Sequence, residues 1–156
     1  MRKIILFIYS VFVSYLAGII GSFFTFSQIT DWYVTLEKPI FSPPNWVFGP
    51  VWNTLYLLMG IALFLVLVSK KSKDRSLGIK VFYFQLILNA LWSIVFFGME
   101  NIELALLVII VLWGSIFMTI KIFYKVNKTA ANLLLPYIIW VTIASLLNLG
   151  IVLLNR

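Results

Sequence analysis

The charged residues of this 156-residue chain fall into short clusters, and long stretches between them carry no charge at all. The charge-free stretches are 4–30, 39–69, 81–99, 104–120 and 129–155, with lengths of 27, 31, 19, 17 and 27 residues. A helix needs about 20 apolar residues to cross the hydrocarbon core of a bilayer. A charge near its centre costs roughly 2.5–3.5 kcal/mol. The pattern therefore predicts an all-α integral membrane protein, a bundle of five transmembrane helices.

The composition excludes a soluble globular protein. Hydrophobic residues make up 63% of the chain and charged residues only 11%, whereas soluble domains carry about 25% charged residues. A chain this short would expose much of its apolar surface to water. We expect one membrane domain, 1–156, with helices at about 4–26, 43–68, 77–98, 102–123 and 130–153 and a lid loop at 27–42.

The net charge of +7 has a topological explanation. If five helices cross the membrane, ten basic residues fall on the side of the N-terminus and only Lys38 and Arg156 on the other side. Basic residues are enriched in cytoplasmic loops. We therefore expect an integral protein of the bacterial cell membrane, with the N-terminus cytoplasmic and the C-terminus outside. The basic side also suits anionic lipid headgroups, and no nucleic-acid partner is needed.

The chain contains no cysteine and no histidine. Their absence excludes disulfides, thiol nucleophiles, thiolate metal sites and imidazole bases. The five spans hold no paired carboxylates and no nucleophile next to a base. We expect no metal site, no resident cofactor and no conventional catalytic constellation, so ordinary hydrolase, kinase and ion-pump functions do not apply.

The connection between the first two predicted helices is about sixteen residues long, and the other connections are much shorter. It contains Trp32, Tyr33 and Pro39, and it ends at Ser42 and Pro43. Long loops of this kind are often functional, which favours a lid. The alternative is that the aromatic residues only mark the headgroup level. We expect Ser42 to cap the second helix, with Pro43 at its first position.

A few uncharged polar residues lie inside the spans, each at helical spacing from an aromatic residue. They are Asn53 and Tyr56 in the second helix, Gln85 and Asn89 in the third, and Asn148 in the fifth. An amide buried in hydrocarbon without a partner costs several kcal/mol, so these faces should point into the bundle. They act either as contacts between helices or as orienting groups in an aromatic pocket for a flat, hydrophobic ligand.

Two prolines fall inside predicted helices, Pro50 in the second and Pro136 in the fifth. Proline removes one backbone hydrogen bond and clashes with the preceding turn, so it kinks a helix. We expect both helices to bend there and to widen the bundle.

Three sequence blocks together resemble one known family. They are WYVTLEKPIFSPPNWVFGPVWNTLYLLMG at 32–60, NALWSIVFFG at 89–98 and LPYIIWVTIASLLN at 135–148. In order and spacing they are similar to the translocator protein family, also called tryptophan-rich sensory protein or peripheral-type benzodiazepine receptor (TspO/MBR). The resemblance covers nearly the whole chain, and it is to a bacterial member.

The resemblance implies a five-helix bundle, usually a homodimer, whose pocket lies under the loop between the first two helices. Such a pocket binds porphyrins such as protoporphyrin IX, benzodiazepine-site ligands and, in animals, cholesterol. Here the tyrosine of the animal cholesterol motif is missing from the end of the fifth helix, which counts against a sterol role. Carried onto this chain, the ligand-binding positions are Tyr33, Pro43, Trp52, Asn89, Trp92, Trp140, Ala144 and Leu147.

Three functions remain open at this point. The first is a membrane receptor or sensor for porphyrin-type ligands. The second is light- and oxygen-dependent porphyrin degradation, with Trp52 and Trp140 as the catalytic residues that the resemblance implies. The third is a passive tetrapyrrole carrier. The same pocket would serve all three.

Overall fold

Five helical segments long and apolar enough to cross a membrane dominate the computed structural model, which describes all residues from Met1 to Arg156. The helices are α1 (Arg2–Gln28), α2 (Asn45–Val68), α3 (Lys73–Ser93), α4 (Ile102–Val126), α5 (Lys128–Leu133) and α6 (Leu135–Leu154). A π-helical segment, Ile94–Gly98, extends α3, and α5 and α6 together form the fifth span. The predicted fold class, an all-α membrane bundle of five spans, is confirmed.

The start of α2 differs from the prediction. The helix begins at Asn45, and Pro44 precedes it in an extended conformation with ψ of 146°. No side chain caps this end, so the predicted Ser42 cap is wrong. The reason is that a residue before a proline avoids the helical region. Pro43 is followed by Pro44 and therefore cannot be the first helical residue, and Pro44 itself is the extended residue before the helix.

The two prolines inside the predicted helices behave differently from each other. Pro50 lies inside α2, as expected. Pro136 lies in the first turn of α6, and Leu134 separates α5 from α6. The fifth span is therefore interrupted there, where a kink in a continuous helix was expected. A proline in the first turn of a helix loses no hydrogen bond, so the break accommodates the ring without strain.

Small residues bring neighbouring helices close together at the end of the bundle opposite the long loop. A Cβ built on Gly60 of α2 would lie 2.7 Å from the Cα of Val11 in α1. A Cβ on Gly78 of α3 would lie 3.1 Å from Ile122 and Phe123 of α4. The helices at this end, which we call the basic end, therefore pack backbone against side chain with little free space.

The connection between α1 and α2, residues 29–44, lies across the opposite end of the bundle, and we call it the lid. Its central turn is a short 3-10 helix, Tyr33–Thr35. Tyr33 is only 2% exposed, and its ring packs against Phe48, Phe96 and Phe97 at centroid distances of 5.8–6.5 Å. The lid is thus part of the packed structure at what we call the lid end.

Candidate functional site

The lid is fastened to the end of α6 by a reciprocal pair of hydrogen bonds. The backbone N–H of Glu37 donates to Asn155 Oδ1 at 3.0 Å, and Asn155 Nδ2 donates to the Glu37 carbonyl at 2.9 Å. The ring of Pro39 fills the space beside Gly150. These contacts hold the middle of the lid against the C-terminal end of α6, on the side of the bundle away from α1.

Lys38 holds the lid from within. Its Nζ donates to the carbonyl of Tyr33 at 2.8 Å and to that of Leu36 at 3.1 Å. The same ammonium group lies 4.7 Å from the centroid of the Tyr33 ring, a cation–π contact. The only cation of the lid is therefore used in ordering the lid itself.

A cavity of about 480 Å³ lies beneath the lid, between α1, α2, α3 and α6. This volume falls in the range of ligand sites, about 300–1,000 Å³. No charged residue lines it. Ten aromatic side chains do: Tyr15, Phe26, Tyr33, Trp46, Phe48, Trp52, Tyr56, Trp92, Phe96 and Phe97. The walls are suited to a flat apolar molecule, since aromatic rings stack on one another and on other π-systems.

A buried chain of hydrogen bonds underlies the cavity floor. The Tyr56 hydroxyl donates to Asn89 Oδ1 at 2.6 Å, and Asn89 Nδ2 donates to the Tyr137 hydroxyl at 3.0 Å. The Tyr137 hydroxyl in turn donates to Gln85 Oε1 at 2.8 Å. Two amides from α3 are thereby bonded to tyrosines from α2 and α6. For Gln85 and Asn89 the structure therefore shows the first of the two alternatives left open by the sequence, contacts between helices.

Asn148 is bonded in the same way at the cavity wall. Trp92 Nε1 donates to Asn148 Oδ1 at 3.1 Å, and Asn148 Nδ2 donates to the Ile102 carbonyl at 2.9 Å. The indole of Trp92 is thereby fixed, and it stacks on Phe96 at 5.2 Å. This wall of the cavity is rigid because its polar atoms already have partners.

Two buried polar atoms have no hydrogen-bond partner, the Tyr33 hydroxyl and Trp140 Nε1. Such groups are rare in folded proteins and cost about 1–3 kcal/mol each. Burial raises the pKa of the Tyr33 phenol above its usual value, and the nearby Ser42 hydroxyl lowers it in part. The two hydroxyl groups nevertheless do not meet the distance and angle of a hydrogen bond, so the phenol stays without a partner. Tyr33 lines the cavity, so its neutral hydroxyl is a polar group that a bound molecule can satisfy.

Five of the eight ligand-binding positions that the resemblance implies lie on the cavity wall: Tyr33, Trp52, Trp92, Ala144 and Leu147. Asn89 lies under the floor, in the hydrogen-bond chain of Tyr56 and Tyr137. Pro43 is half-buried in the lid and does not line the cavity. Their roles in ligand binding stay predictions.

Trp140 lies behind the wall. Phe48 separates it from the cavity, with ring centroids 5.8 Å apart. Trp140 lines instead a groove between α2 and the fifth span, where Pro50 and Pro136 also lie. The spacing of residues in the sequence correctly predicted that α6 contributes to the cavity wall. Spacing alone, however, does not tell which of two neighbouring faces of the helix a tryptophan occupies.

The sequence reasoning missed the α1 side of the cavity. Tyr15, Ile19 and Phe26 of α1 line it, and so does Phe48 of α2. Their only signal was the spacing of Tyr15, Ile19, Ser22 and Phe26 along one face of the first helix. In a span that is apolar all round, that spacing does not distinguish a cavity from lipid.

Comparison with known proteins places these features in context. A model of the TspO/MBR family matches residues 10–154. Tryptophan-rich protein TspO of Archaeoglobus fulgidus is 46% identical over 138 residues, which cover 88% of this chain and 89% of the relative. Protein CrtK of Rhodobacter capsulatus is 36% identical, with 89% and 86% covered, and human translocator protein is 35% identical, with 83% and 78% covered.

Proposed function

The chain belongs to the TspO/MBR family, as its three sequence blocks predicted, and we propose that it is a membrane receptor that binds porphyrin-type ligands in the cavity beneath the lid. The observation that carries the proposal is the cavity itself, about 480 Å³ in volume, walled by aromatic rings and lined by no charged residue. A macrocycle such as protoporphyrin IX offers a wide, flat π-surface to such walls.

The rings differ in how they would meet a ligand. Trp52 lines the cavity and stacks on Tyr56, with centroids 5.5 Å apart and planes inclined by 25°. Trp92 is fixed by Asn148 and presents its face from α3. The buried Tyr33 hydroxyl then supplies a hydrogen bond from the roof. The ligand is held by stacking and shape, with one polar contact to orient it.

Binding is tested by titrating purified protein with protoporphyrin IX in the dark and following the porphyrin's own absorbance and fluorescence. Trp52→Phe and Trp92→Phe should each weaken binding about 2- to 10-fold, because an aromatic pair contributes roughly 0.5–1.5 kcal/mol. Trp113→Phe is the matched control, since Trp113 lies on α4 and bonds to Thr142 away from the cavity. Absence of saturable binding in the parent protein would refute the proposal.

Porphyrin degradation is a second candidate because Trp52 belongs to a cluster of oxidisable rings. It stacks on Tyr56 and meets Tyr137 edge-on, with centroids 6.2 Å apart. Trp52 can give an electron to a light-excited porphyrin, the reduced porphyrin can pass that electron to O2, and the vacancy left on Trp52 can be shared with these neighbouring rings. Illumination in oxygen should then give a new absorbing product, and Trp52→Phe should slow its formation far more than it weakens dark binding. Trp140 is behind Phe48, so Trp140→Phe should slow it less.

The orientation of the protein in the membrane and its location in the bacterial cell membrane are also part of the proposal. We infer that the basic end faces the cytoplasm of a bacterial cell, since ten of the twelve basic residues lie there. The chain has no native cysteine, so Lys71→Cys and Asp31→Cys give single labels at the two ends. A membrane-impermeant maleimide should label Asp31→Cys in intact cells and leave Lys71→Cys unlabelled.

A passive carrier and a homodimer both stay predictions. Porphyrin flux into sealed vesicles that contain the protein tests the carrier. The mass of the detergent-solubilised protein tests the homodimer.

A further inference from the structure

We propose that the ligand reaches the cavity sideways from the bilayer, through a slot between α1 and α2, while the lid stays in place. The inference rests on the proposed function and concerns the route by which the same cavity is filled. It assigns the ligand to molecules already dissolved in the membrane, because the most exposed side chains around the slot, Ile19, Phe26 and Trp46, are apolar or aromatic.

Residues that line a cavity and are nevertheless exposed mark its mouth. On the lid side Tyr33 is 2% exposed, and behind it Phe96 is also 2% exposed. Between α1 and α2 the picture is reversed: Ile19 is 59%, Phe26 83% and Trp46 74% exposed, although all three line the cavity. The cavity is therefore closed beneath the lid and open between these two helices.

Two contacts made by α2 set the height of the slot, one to Tyr15 of α1 and one to Ile29, the first residue of the lid. Below it, the Tyr15 hydroxyl donates to the Asn53 carbonyl at 2.8 Å. Above it, Asn45 Nδ2 makes a long contact of 3.5 Å with the Ile29 carbonyl. Asn45 and Asn53 are eight residues apart on α2, which corresponds to about 12 Å along a helix. An opening of that height admits a flat ring system edge-on.

Gly49 keeps the slot open in the middle. It lies on α2 between Asn45 and Asn53, it is exposed and it lines the cavity. A Cβ at Gly49 would meet no atom within 4 Å. Farther down the same helix pair, by contrast, Gly60 sits hard against the backbone of Val11. The two helices are in close contact at the basic end and separated at the lid end.

The lid, in contrast, is fastened on its far side. The reciprocal bonds between Glu37 and Asn155 and the packing of Pro39 on Gly150 have to break before it lifts. The slot requires none of these changes. The route through lipid therefore has the lower barrier.

The experiment uses the full chain in lipid nanodiscs and measures the rate of protoporphyrin IX binding by stopped-flow fluorescence. Since the chain has no cysteine, Glu37→Cys and Asn155→Cys can be joined by a short bis-maleimide bridge that locks the lid. The control is the parent protein, in which Asn155 still holds the lid, and the unbridged double variant shows the effect of losing the two Asn155 hydrogen bonds. We expect the bridged protein to bind within about twofold of the control rate. A drop of tenfold or more on bridging would overturn the proposal.

The second arm narrows the slot. Gly49→Leu should lower association and dissociation rates together, about tenfold, because the leucine occupies the opening. Gly114→Leu on α4 is the matched control, because its Cβ also meets no atom within 4 Å. Unchanged rates in Gly49→Leu would count against the slot, and if that variant does not bind at all, the lid bridge decides alone. Absence of equilibrium binding in the parent protein would instead refute the proposed function, so the two failures are distinguishable.

Discussion

Two tyrosines of the cavity wall should respond to the loss of their hydroxyl groups with opposite signs. Tyr56 donates a 2.6 Å hydrogen bond to Asn89, whereas the Tyr33 hydroxyl is buried without a partner. Tyr56→Phe removes a bond and leaves Asn89 Oδ1 without a donor. Tyr33→Phe removes a desolvated group and leaves nothing behind. The same chemical change should therefore destabilise one variant and not the other.

The magnitudes follow from the two environments. Hydrogen bonds between membrane helices average about 0.6 kcal/mol and reach about 1.7 kcal/mol, and a buried unsatisfied acceptor costs about 1–3 kcal/mol. We expect Tyr56→Phe to lower the free energy of unfolding by about 1–2 kcal/mol. A chain of this length loses roughly 2–4 °C in Tm per kcal/mol, so the drop is roughly 2–8 °C. Tyr33→Phe should leave Tm unchanged or raise it by up to about 4 °C.

Thermal unfolding in detergent, followed by circular dichroism without ligand, measures both variants against the parent. Dark titration with protoporphyrin IX adds a second result for Tyr33→Phe: affinity should fall about 2- to 10-fold, since a neutral hydrogen bond contributes about 0.5–1.5 kcal/mol. The reasoning would be refuted if Tyr33→Phe destabilised the ligand-free protein as much as Tyr56→Phe does. The Tyr33 hydroxyl would then have a partner in the lid.

Three further results are expected. Burial raises the pKa of Tyr33, so ionisation of this group costs the folded state nothing below about pH 10, the usual tyrosine pKa. Above that pH the unfolded chain ionises first and stability is lost until the pH passes the folded-state pKa, so Tm should fall less steeply in Tyr33→Phe than in the parent. Gly60→Ala should lower the free energy of unfolding by about 1–3 kcal/mol, because the new Cβ would lie 2.7 Å from the Val11 backbone. Gly114→Ala should be neutral or slightly stabilising, because alanine has the higher helix propensity, and chemical unfolding compares the two variants. Glu100 has a φ of 51° in the turn before α4, so Glu100→Gly should raise Tm slightly, and a lower Tm would show that the side chain stabilises the turn.

The sequence was sufficient to predict the membrane fold, because the hydrocarbon core imposes only simple requirements on each span. Each span must be long and free of charge, and the clusters of charged residues mark where each one ends. Details set by backbone sterics between adjacent residues were harder to predict. The start of α2 moved from Pro43 to Asn45 because of the double proline, and the fifth span broke at Leu134.

The site was predicted in part, for a different reason. A buried polar residue in an apolar span needs a partner, and Asn89 and Asn148 correctly identified the interior sides of α3 and α6. For Asn53 the prediction was wrong: it is exposed, and its amide donates to the Gly49 carbonyl of its own helix. Which inward residues meet a cavity and which meet each other depends on helix rotation and separation. Asn89 bonds to two tyrosines, and Trp140 lies behind Phe48, and neither arrangement has a signature in spacing.

The hydrogen bonds that occupy Asn89 and Asn148 also make the cavity unfavourable for charged groups of a ligand. A carboxylate inside it would lose its hydration and find these amides already bonded to other protein groups, at a cost of several kcal/mol. Lys38, the nearest cation of the lid, is held by the carbonyls of Tyr33 and Leu36. An acidic macrocycle therefore has to enter with its uncharged edge first and leave its acid groups at the rim, in contact with water and headgroups. The protein would then select ligands by how charge is distributed around the ring, and amphiphilic macrocycles with acids along one edge would be preferred over symmetric ones.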